Sequence, residues 1–450
     1  MLLNMRSGKG SREVIAPDKP SYVETFWIWA KIGLLSFGGP AAQIALMHRM
    51  VVAEKGWLNE KQYLNALGFC MLLPGPEAMQ LATYAGWKIQ GTLGGLMAGL
   101  LFVLPGAIIV LGLAITYAMF GDMALTVALF LGIKAAVLIV VLDALFRVAK
   151  KALYLPEHWF IAAFAFICLF LLQVAYPLVI ALSAGYGFLF RHKSNTKTGL
   201  SAAASIRQTD QSNQSLKSLL PTTLLTVSCW LLIWWVPILT VDHFFNLPIL
   251  TQIGEFFSKL AVVTFGGAYA VLAYLAQDVV NQFGWLTAGE MMDGLGLAET
   301  TPGPLILVTE FVGFIAGYRD GGLMVGLSAA LITLWVTFTP CFMWIFAGAP
   351  YLEWISNQPR LKSALSAITA AVVGVILNLS LWFSLQVLFK QVETKSYGPF
   401  SVLMPIFNSI DWRVLLLSSI CAVLIFRFRW SILPVLASSA AIGVILTMAI

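Results

Sequence analysis

The sequence has little charge: only 11% of its 450 residues are Asp, Glu, Lys or Arg, whereas 59% are hydrophobic. An average soluble domain has about 25% charged residues, so a soluble chain of this composition could not cover its surface with polar groups. Runs without any charge, such as residues 98–120, are long enough to cross a bilayer. The composition therefore predicts an integral membrane protein that crosses the bilayer several times.

Motifs of catalysis and of metal binding are also missing. There is no HExxH, no Walker loop and no GxSxG, and the four His are far apart in the sequence. The five Cys are scattered without a CxxC pair, so we interpret them as small apolar residues of the interior. The sequence thus predicts no enzyme, no metal site and no cofactor.

The net charge of +6 does not indicate a nucleic-acid partner. Basic residues lie between the apolar segments, where the positive-inside rule places them in a chain surrounded by membrane lipid. If the N-terminus is cytoplasmic, most of these basic residues lie on the cytoplasmic side of the membrane. They are the basic residues of the N-terminal tail, Arg147, Lys150, Lys151, the basic residues of 191–217, Arg427 and Arg429. We therefore expect a cytoplasmic N-terminus.

Apolar segments fill most of the chain. They predict about thirteen spans, at residues 23–48, 62–88, 93–120, 123–149, 157–172, 174–190, 218–240, 250–276, 290–316, 322–348, 361–389, 412–428 and 430–449. Residues 1–22 form a basic tail. A polar linker at residues 191–217 separates a first repeat, residues 23–190, from a second, residues 218–450 with a core at 254–390. The linker is rich in Ser, Gln, Asn and Thr, which predicts a flexible loop.

An internal repeat relates the two halves. Five motifs recur at one constant spacing: Lys31, Phe37-Gly38-Gly39, Gly56-Trp57-Leu58, Gly68 and Pro74-Gly75-Pro76 match Lys259, Phe265-Gly266-Gly267, Gly284-Trp285-Leu286, Gly296 and Pro302-Gly303-Pro304. Further along, a slightly longer spacing aligns Asp143 with Asn378. About seven predicted spans separate the starts of the two copies, and an odd number inverts the second copy. The predicted fold is an all-α polytopic membrane protein with two homologous halves as inverted repeats.

The repeated tripeptide Pro-Gly-Pro interrupts an apolar segment in each half. Proline lacks a backbone N–H and clashes with the preceding turn, so an unbroken helix is not expected at either place. In a bilayer, broken backbone is tolerated only where protein buries it or where it lines a cavity. Paired interruptions at corresponding positions of two halves indicate the binding site of a transporter.

The chain resembles the chromate ion transporter family, in its long form with two fused halves, at Phe37-Gly38-Gly39, residues 72–77 and residues 299–304. The resemblance implies transport of chromate, usually efflux across the bacterial inner membrane driven by the proton gradient, and chromate resistance. The chain departs from the family at Met79 and Glu310, where many members have polar uncharged residues. Uptake of sulfate or another oxyanion, an anion channel, and a homodimeric assembly stay open as alternatives.

The two tripeptides are the first candidates for substrate binding, with Pro74, Gly75, Pro76, Pro302, Gly303 and Pro304. Proline suits the first position of a helix, so we expect two half-helices to start at Gly75 and Gly303. Helix N-termini bind anions through their free N–H groups and positive dipole end. Two such ends would suit a tetrahedral dianion; the alternative is that both tripeptides are packing kinks.

A second break in each half is predicted at Gly38, Gly39, Gly266 and Gly267, since glycine permits close backbone approach. These glycines could equally serve helix packing. Lys31 and Lys259 lie within apolar segments, where a charge is costly, and would give a site for a dianion two positive charges. The alternative is that both lysines reach the membrane surface by snorkelling.

Four acidic residues lie at or near membrane depth: Glu77, Asp143, Glu299 and Glu310. One of them could carry the coupling proton, and the others could pair with Lys31, Lys134 or Lys259. Glu77 is the preferred proton carrier because it directly follows a break. Gln80, Thr300 and Thr301 are uncharged hydrogen-bonding residues beside the breaks, and we expect Thr301 to cap the second half-helix.

Overall fold

The computed structural model describes residues 20–121, 123–190, 202–245, 247–265, 268–356, 358–397 and 400–448. In the first half the helices are α1 Tyr22–Leu35, α2 Gly39–Met47, α3 Glu60–Cys70, α4 Glu77–Phe120, α5 Ala124–Ala152, α6 Pro156–Phe170 and α7 Tyr176–Leu189. In the second half they are α8 Ala202–Phe245, α9 Pro248–Val263, α10 Ala268–Gln277, α11 Ala288–Thr300, α12 Val308–Gly348, α13 Leu352–Ser356, α14 Pro359–Leu388, α15 Trp412–Ala422 and α16 Ile432–Met448.

The helices are long and apolar enough for a multi-pass membrane protein. Within the described residues, five segments qualify as membrane spans by length and composition: Glu77–Phe120, Ala124–Ala152, Leu219–Val241, Leu305–Tyr351 and Pro359–Leu388. Helices α6, α7 and α16 are apolar but shorter. The predicted helical membrane protein is therefore confirmed, whereas the number of about thirteen spans and the inversion of the repeat stay predictions.

Two of the long helices are folded hairpins. Helix α4 leaves helical geometry at Gln90 and Gly91, and α12 does so at Gly321 and Gly322. Gly91 and Gly322 have φ of 69° and 77°, which glycine adopts without strain. Each helix thus has two limbs, residues 77–89 and 92–120 in α4, and residues 308–320 and 323–348 in α12. The predicted boundaries between apolar segments coincide with these kinks.

Close backbone approach holds the limbs of each hairpin together. In α4, the side chain of Thr83 lies against Gly99, which a continuous straight helix between the two residues would keep about 24 Å apart. In α12, Thr333 lies against Gly313 in the same way. Helices α4 and α12 pack against each other, α1 packs on α4, and α9 packs on α12. This arrangement brings the breaks of both halves to the interior.

The remaining helices interlock the two halves. Helices α6 and α7 of the first half pack on α14, whereas α15 and α16 of the second half pack on α5. The hydroxyl of Ser439 donates to the carbonyl of Gly132 at 2.7 Å, and Gly374 lies against the backbone of Ala162. Each half therefore covers the long helix of the other.

Two features differ from the sequence-based expectation. Helix α8 starts at Ala202, within the predicted flexible linker, while residues 191–201 lie outside the described residues, as do residues 1–19 of the tail. A two-stranded antiparallel hairpin, β1 Val392–Tyr397 and β2 Phe400–Pro405, pairs Val392 with Pro405 and is a small exception to the all-α prediction. The polar residues Glu393, Thr394 and Lys395 explain why no apolar segment was predicted there.

We expect the two halves to be inverted in the membrane, and Lys55 and Gln282 provide the test. Both are exposed and lie at the ends of corresponding π-helical segments, His48–Glu54 and Asp278–Gln282. Single cysteines at these positions, in a variant without the five native cysteines, should react with a membrane-impermeant thiol reagent from opposite sides of sealed vesicles. Reaction of both from the same side would mean parallel repeats.

Candidate functional site

The breaks of the two halves are hydrogen-bonded to each other reciprocally. The N–H of Gly75 donates to the carbonyl of Thr264 at 2.8 Å, and the N–H of Gly303 donates to the carbonyl of Ser36 at 2.8 Å. Ser36 and Thr264 occupy equivalent positions of the repeat, each directly before the Phe-Gly-Gly motif of its half. Each Pro-Gly-Pro is thus joined to the break that ends α1 or α9 in the other half.

The chemistry of Pro-Gly-Pro explains why the glycine N–H forms each of these two hydrogen bonds. Because proline has no N–H, the Pro-Gly-Pro unit contains one backbone donor, that of the glycine. Gly75 and Gly303 have φ of 117° and 96°, a backbone conformation that favours glycine. A buried N–H without an acceptor is costly, and here the carbonyl of the opposite half accepts it. The glycines are therefore required both for the turn and for the link between the halves.

Two buried glutamines add side-chain hydrogen bonds to the carbonyls of the breaks. The side-chain amide of Gln80 donates to the carbonyl of Pro74 at 2.6 Å. The amide of Gln43 in α2 donates to the carbonyl of Gly303 at 2.6 Å and to that of Ser36 at 3.2 Å. Sequence reasoning identified Gln80 and missed Gln43. The available signal was a lone amide in an apolar helix, at a position where the second half has Val271.

A narrow cleft lies where the two tripeptides meet. Its lining residues come from both halves: Pro40, Gln43, Pro76, Glu77, Ala78, Pro304, Leu305 and Ile306. The cleft has a volume of about 20 Å³, close to the minimum that holds one water. The structure thus brings the predicted residues Pro76, Glu77 and Pro304 together, in a closed arrangement.

Helix starts point at this cleft. Helix α4 begins at Glu77 after Pro76, and a 3₁₀ turn at Leu305–Leu307 begins after Pro304 and leads into α12. The first N–H groups of a helix have no intrahelical acceptor, and they carry the positive end of its dipole. The expectation that the half-helices start at Gly75 and Gly303 is wrong, because each glycine forms the turn before the helix and the helical residues begin after the second proline.

The Phe-Gly-Gly breaks and the two threonines before the second Pro-Gly-Pro lie where helices begin or end. Gly38 and Gly39 have φ of 85° and 78° and start α2, while Gly266 and Gly267 lie outside the described residues. Thr300 and Thr301 donate their hydroxyls back to the carbonyls of Leu297 and Ala298 in α11, at 2.8 and 3.1 Å. Thr301 therefore ends α11 and does not cap α12, which corrects the expectation from the sequence.

The structure does not bring Lys31 and Lys259 to the cleft. Both are exposed, Lys31 on the face of α1 that carries Trp27 and Leu34, and Lys259 on the face of α9 that carries Glu255. Neither lysine is among the residues that line the cleft. Their contribution of positive charge to a shared site stays a prediction.

The predicted acidic residues have separate surroundings. Asp143 pairs with Arg147 of the same helix at 2.9 Å, and Glu299 accepts a hydrogen bond from Tyr269 at 2.7 Å. Glu310 is 1% exposed, and its Oε2 has no hydrogen-bond partner within the part of the chain that the structure describes. Of these four acidic residues, Glu77 is the one that lines the cleft.

A buried ion pair that sequence reasoning missed joins the halves near α11. Lys134 of α5 lies 3.2 Å from Oδ2 of Asp293, and the hydroxyl of Tyr117 in α4 donates to the same oxygen at 2.8 Å. The side chain of Asp293 is 5% exposed and that of Lys134 27% exposed. An aspartate among apolar residues of α11 was the available signal. The position equivalent to Asp293 in the first half is the exposed Asn65, so the repeat does not contain a second copy of this pair.

The profile of a family described as Chromate transporter matches two regions of the chain, residues 23–188 and 251–444. A chromate transport protein of Pseudomonas aeruginosa is 32% identical over 365 residues, which cover 80% of each chain. A chromate transport protein of Cupriavidus metallidurans is 29% identical over 347 residues, 77% of this chain and 78% of its own. An uncharacterized transporter of Methanocaldococcus jannaschii is 27% identical over 372 residues, 82% of this chain and 86% of its own. No solved structure matches the chain.

The ion pair between Lys134 and Asp293 predicts that removing one of the two charges destabilises the protein more than removing both. Lys134→Met leaves a buried carboxylate without its cation, and breaking a buried pair in this way costs about 3–5 kcal/mol. We expect a clear drop in the thermal unfolding temperature of the purified protein. The double variant Lys134→Met/Asp293→Asn removes both charges and should recover most of the loss. Equal unfolding temperatures for the single and double variants would contradict the pairing.

Proposed function

The chain belongs to the chromate transporter family, and from this premise we propose that it is a secondary carrier that exports chromate from the bacterial cytoplasm across the inner membrane. The export would be driven by the proton gradient and would give resistance to chromate. The observation that carries the proposal is the cleft lined by both Pro-Gly-Pro breaks. It lies between two homologous halves, where transporters of this construction bind their substrates.

The chemistry of the cleft suits a tetrahedral dianion. Helix starts from both halves direct N–H groups and positive dipole ends towards it, and such ends stabilise anions in partly buried places. No lysine or arginine is among its described lining residues, so the backbone supplies the positive potential. Sulfate has the same shape and charge as chromate, which makes it the natural competitor.

Glu77 connects the cleft to proton coupling. A carboxylate and a dianion repel each other strongly at short distance in a dry cleft, so the charge state of Glu77 would set how strongly the dianion binds. A proton-coupled carrier needs a titratable group beside its substrate, and Glu77 is the acidic residue among the described residues that line the cleft.

Flux of chromate through the reconstituted protein tests the proposal. We expect proteoliposomes to move radiolabelled chromate with saturation, faster when a pH gradient is imposed, and sulfate to compete. Flux that does not saturate and ignores the pH gradient would favour an anion channel. Preference for sulfate would favour a sulfate carrier, and no flux under any gradient would contradict a carrier for either anion.

The glycines of the breaks provide a further prediction. A β-carbon at Gly75 would lie 2.9 Å from Sγ of Cys341 and Nε2 of Gln80, and one at Gly303 would lie 3.1 Å from Cδ1 of Leu307. Gly75→Val and Gly303→Val should therefore abolish chromate transport, since they displace the helix starts, while the protein still inserts into the membrane. Flux in proteoliposomes, compared at equal amounts of inserted protein, measures the effect.

Gly56→Val is the matched control for the glycine variants. Gly56 also has a positive φ, 63°, but nothing lies within 4 Å of a β-carbon there, so the variant carries the backbone strain without the clash. We expect it to retain transport. Normal chromate affinity in the Gly75 and Gly303 variants, together with reduced thermal stability, would mean that the breaks are packing kinks.

A further inference from the structure

A polar pocket of about 370 Å³ lies apart from the cleft, where α6 and α7 of the first half pack on α14 of the second. Its polar lining includes Tyr154, His158, Lys362, Ser363 and Ser366. Helix α5 ends at Ala152, just before the pocket, and α14 begins at Pro359. Since α5 and α14 both qualify as membrane spans, these two ends mark the boundary of the bilayer, and the pocket lies at that boundary.

Hydrogen bonds between the two halves build one wall of this pocket. His158 is buried, and its Nδ1 lies 2.7 Å from the carbonyl oxygen of Ala152. Its Nε2 lies 3.3 Å from the hydroxyl of Ser366, which in turn lies 3.0 Å from the hydroxyl of Tyr154. The ring of Tyr154 also packs edge-on against the imidazole. The polar wall is therefore formed by contacts between α6 and α14 and does not depend on a ligand.

An apolar groove of about 480 Å³ continues from the pocket between α6 and α7. The pocket and the groove share three lining residues, Glu157, Ile161 and Tyr186. The groove adds apolar side chains that are exposed, namely Phe160, Phe164 and Leu182.

The groove leads from the boundary of the bilayer towards its interior. Glu157 lies in the first turn of α6, and Phe164 follows about two turns, or roughly 10 Å, further along the helix. Helix α6 runs alongside the span α14, because Gly374 lies against the backbone of Ala162, further along both helices than the contact between His158 and Ser366. The polar pocket therefore lies at the membrane surface, and the apolar groove lies deeper.

The charges at the pocket suit a phosphate group. Lys362 is exposed at the start of α14 and lines the pocket. Arg360, in the same turn, has its guanidinium carbon 5.7 Å from the centre of the Phe188 ring of α7. Glu157 is the acidic residue among the described lining residues, so two bases and one acid lie at this end of the helices. Basic pockets between membrane helices bind the headgroups of lipids.

We propose that the pocket and the groove together bind one membrane phospholipid, with its phosphate beside Lys362 and an acyl chain along Phe160 and Phe164. The polar and apolar parts follow each other in the order that a lipid at the bilayer boundary requires. A free phosphate would leave the groove empty, and a purely apolar molecule would leave the polar wall unused. Because the site joins α6 and α7 to α14, a bound lipid stabilises the contact between the two halves.

Three probes separate the parts of this site: palmitoyl-oleoyl phosphatidylglycerol, the diacylglycerol with the same chains, and glycerol phosphate without chains. We expect phosphatidylglycerol to raise the thermal unfolding temperature of the purified protein in detergent. The other two probes should have little effect at the same concentration, because each lacks one part of the ligand. Native mass spectrometry of the same samples should show one retained phosphatidylglycerol per chain.

Two variants with matched controls assign the binding to this place. Lys362→Gln should weaken the apparent affinity for phosphatidylglycerol by up to about fivefold, the upper range for an exposed charge pair. Lys61→Gln is its control, since Lys61 is likewise exposed at the start of a helix, α3. Phe164→Ser should weaken the affinity by about fivefold through lost apolar contact. Phe120→Ser, at the exposed end of α4, is its control.

Equal affinities in the site variants and their controls would overturn the inference. Stabilisation by glycerol phosphate as strong as that by phosphatidylglycerol would mean a free-phosphate site, and equal stabilisation by diacylglycerol would mean an apolar groove alone; either result would also overturn it. None of these measurements involves chromate flux, so failure of the lipid site and failure of the proposed function are told apart.

Discussion

The single backbone donor of each Pro-Gly-Pro is the constraint on which the site depends. Because the prolines have no N–H, the tripeptide can form one backbone bond as a donor, and it forms this bond with the other half of the protein. The bonds Gly75–Thr264 and Gly303–Ser36 fix the distance between the halves at their centre. In a bilayer no lipid can replace the lost acceptor, so separating the halves leaves two buried donors unsatisfied unless water or substrate takes over. An oxyanion has the acceptors that this exchange requires.

Much of the backbone could be predicted from the sequence, because Pro and Gly act locally. The breaks at residues 74–76 and 302–304 follow from proline chemistry, and the predicted boundaries near residues 90 and 321 became the hairpin kinks of α4 and α12. The repeat spacing made these predictions firmer, since a local signal that recurs in register is less ambiguous than one alone.

The partners of these local features could not be predicted, because they are set by tertiary packing. Nothing local to Gly75 indicates that its N–H reaches Thr264, which lies in the other half of the sequence. Gln43 was missed for the same reason: its amide bonds two carbonyls, and one of them belongs to Gly303 of the other half. The prediction for Thr301 failed in the opposite way, because a local pattern suggested a role that the structure does not show. A hydroxyl before a helix resembles a cap, but the intervening Pro-Gly-Pro lets it bond back to α11.

The two halves share backbone geometry and differ in side chains, and the difference concentrates around the cleft. Gln43 and Gln80 have no amide counterpart in the second half, where Val271 and Val308 stand, and Glu77 is replaced by Leu305. A symmetric pair of inverted halves would give two access states of equal free energy. Because the backbones match and the side chains differ, one access state can have a lower free energy while the other remains accessible. A cleft of about 20 Å³ has no room for a tetrahedral oxyanion, so the binding proposed there requires the helix starts to separate. Separation of the halves would therefore be part of the proposed transport cycle, in which the gradients set the direction of net flux and the side chains that differ set the relative free energies of the access states.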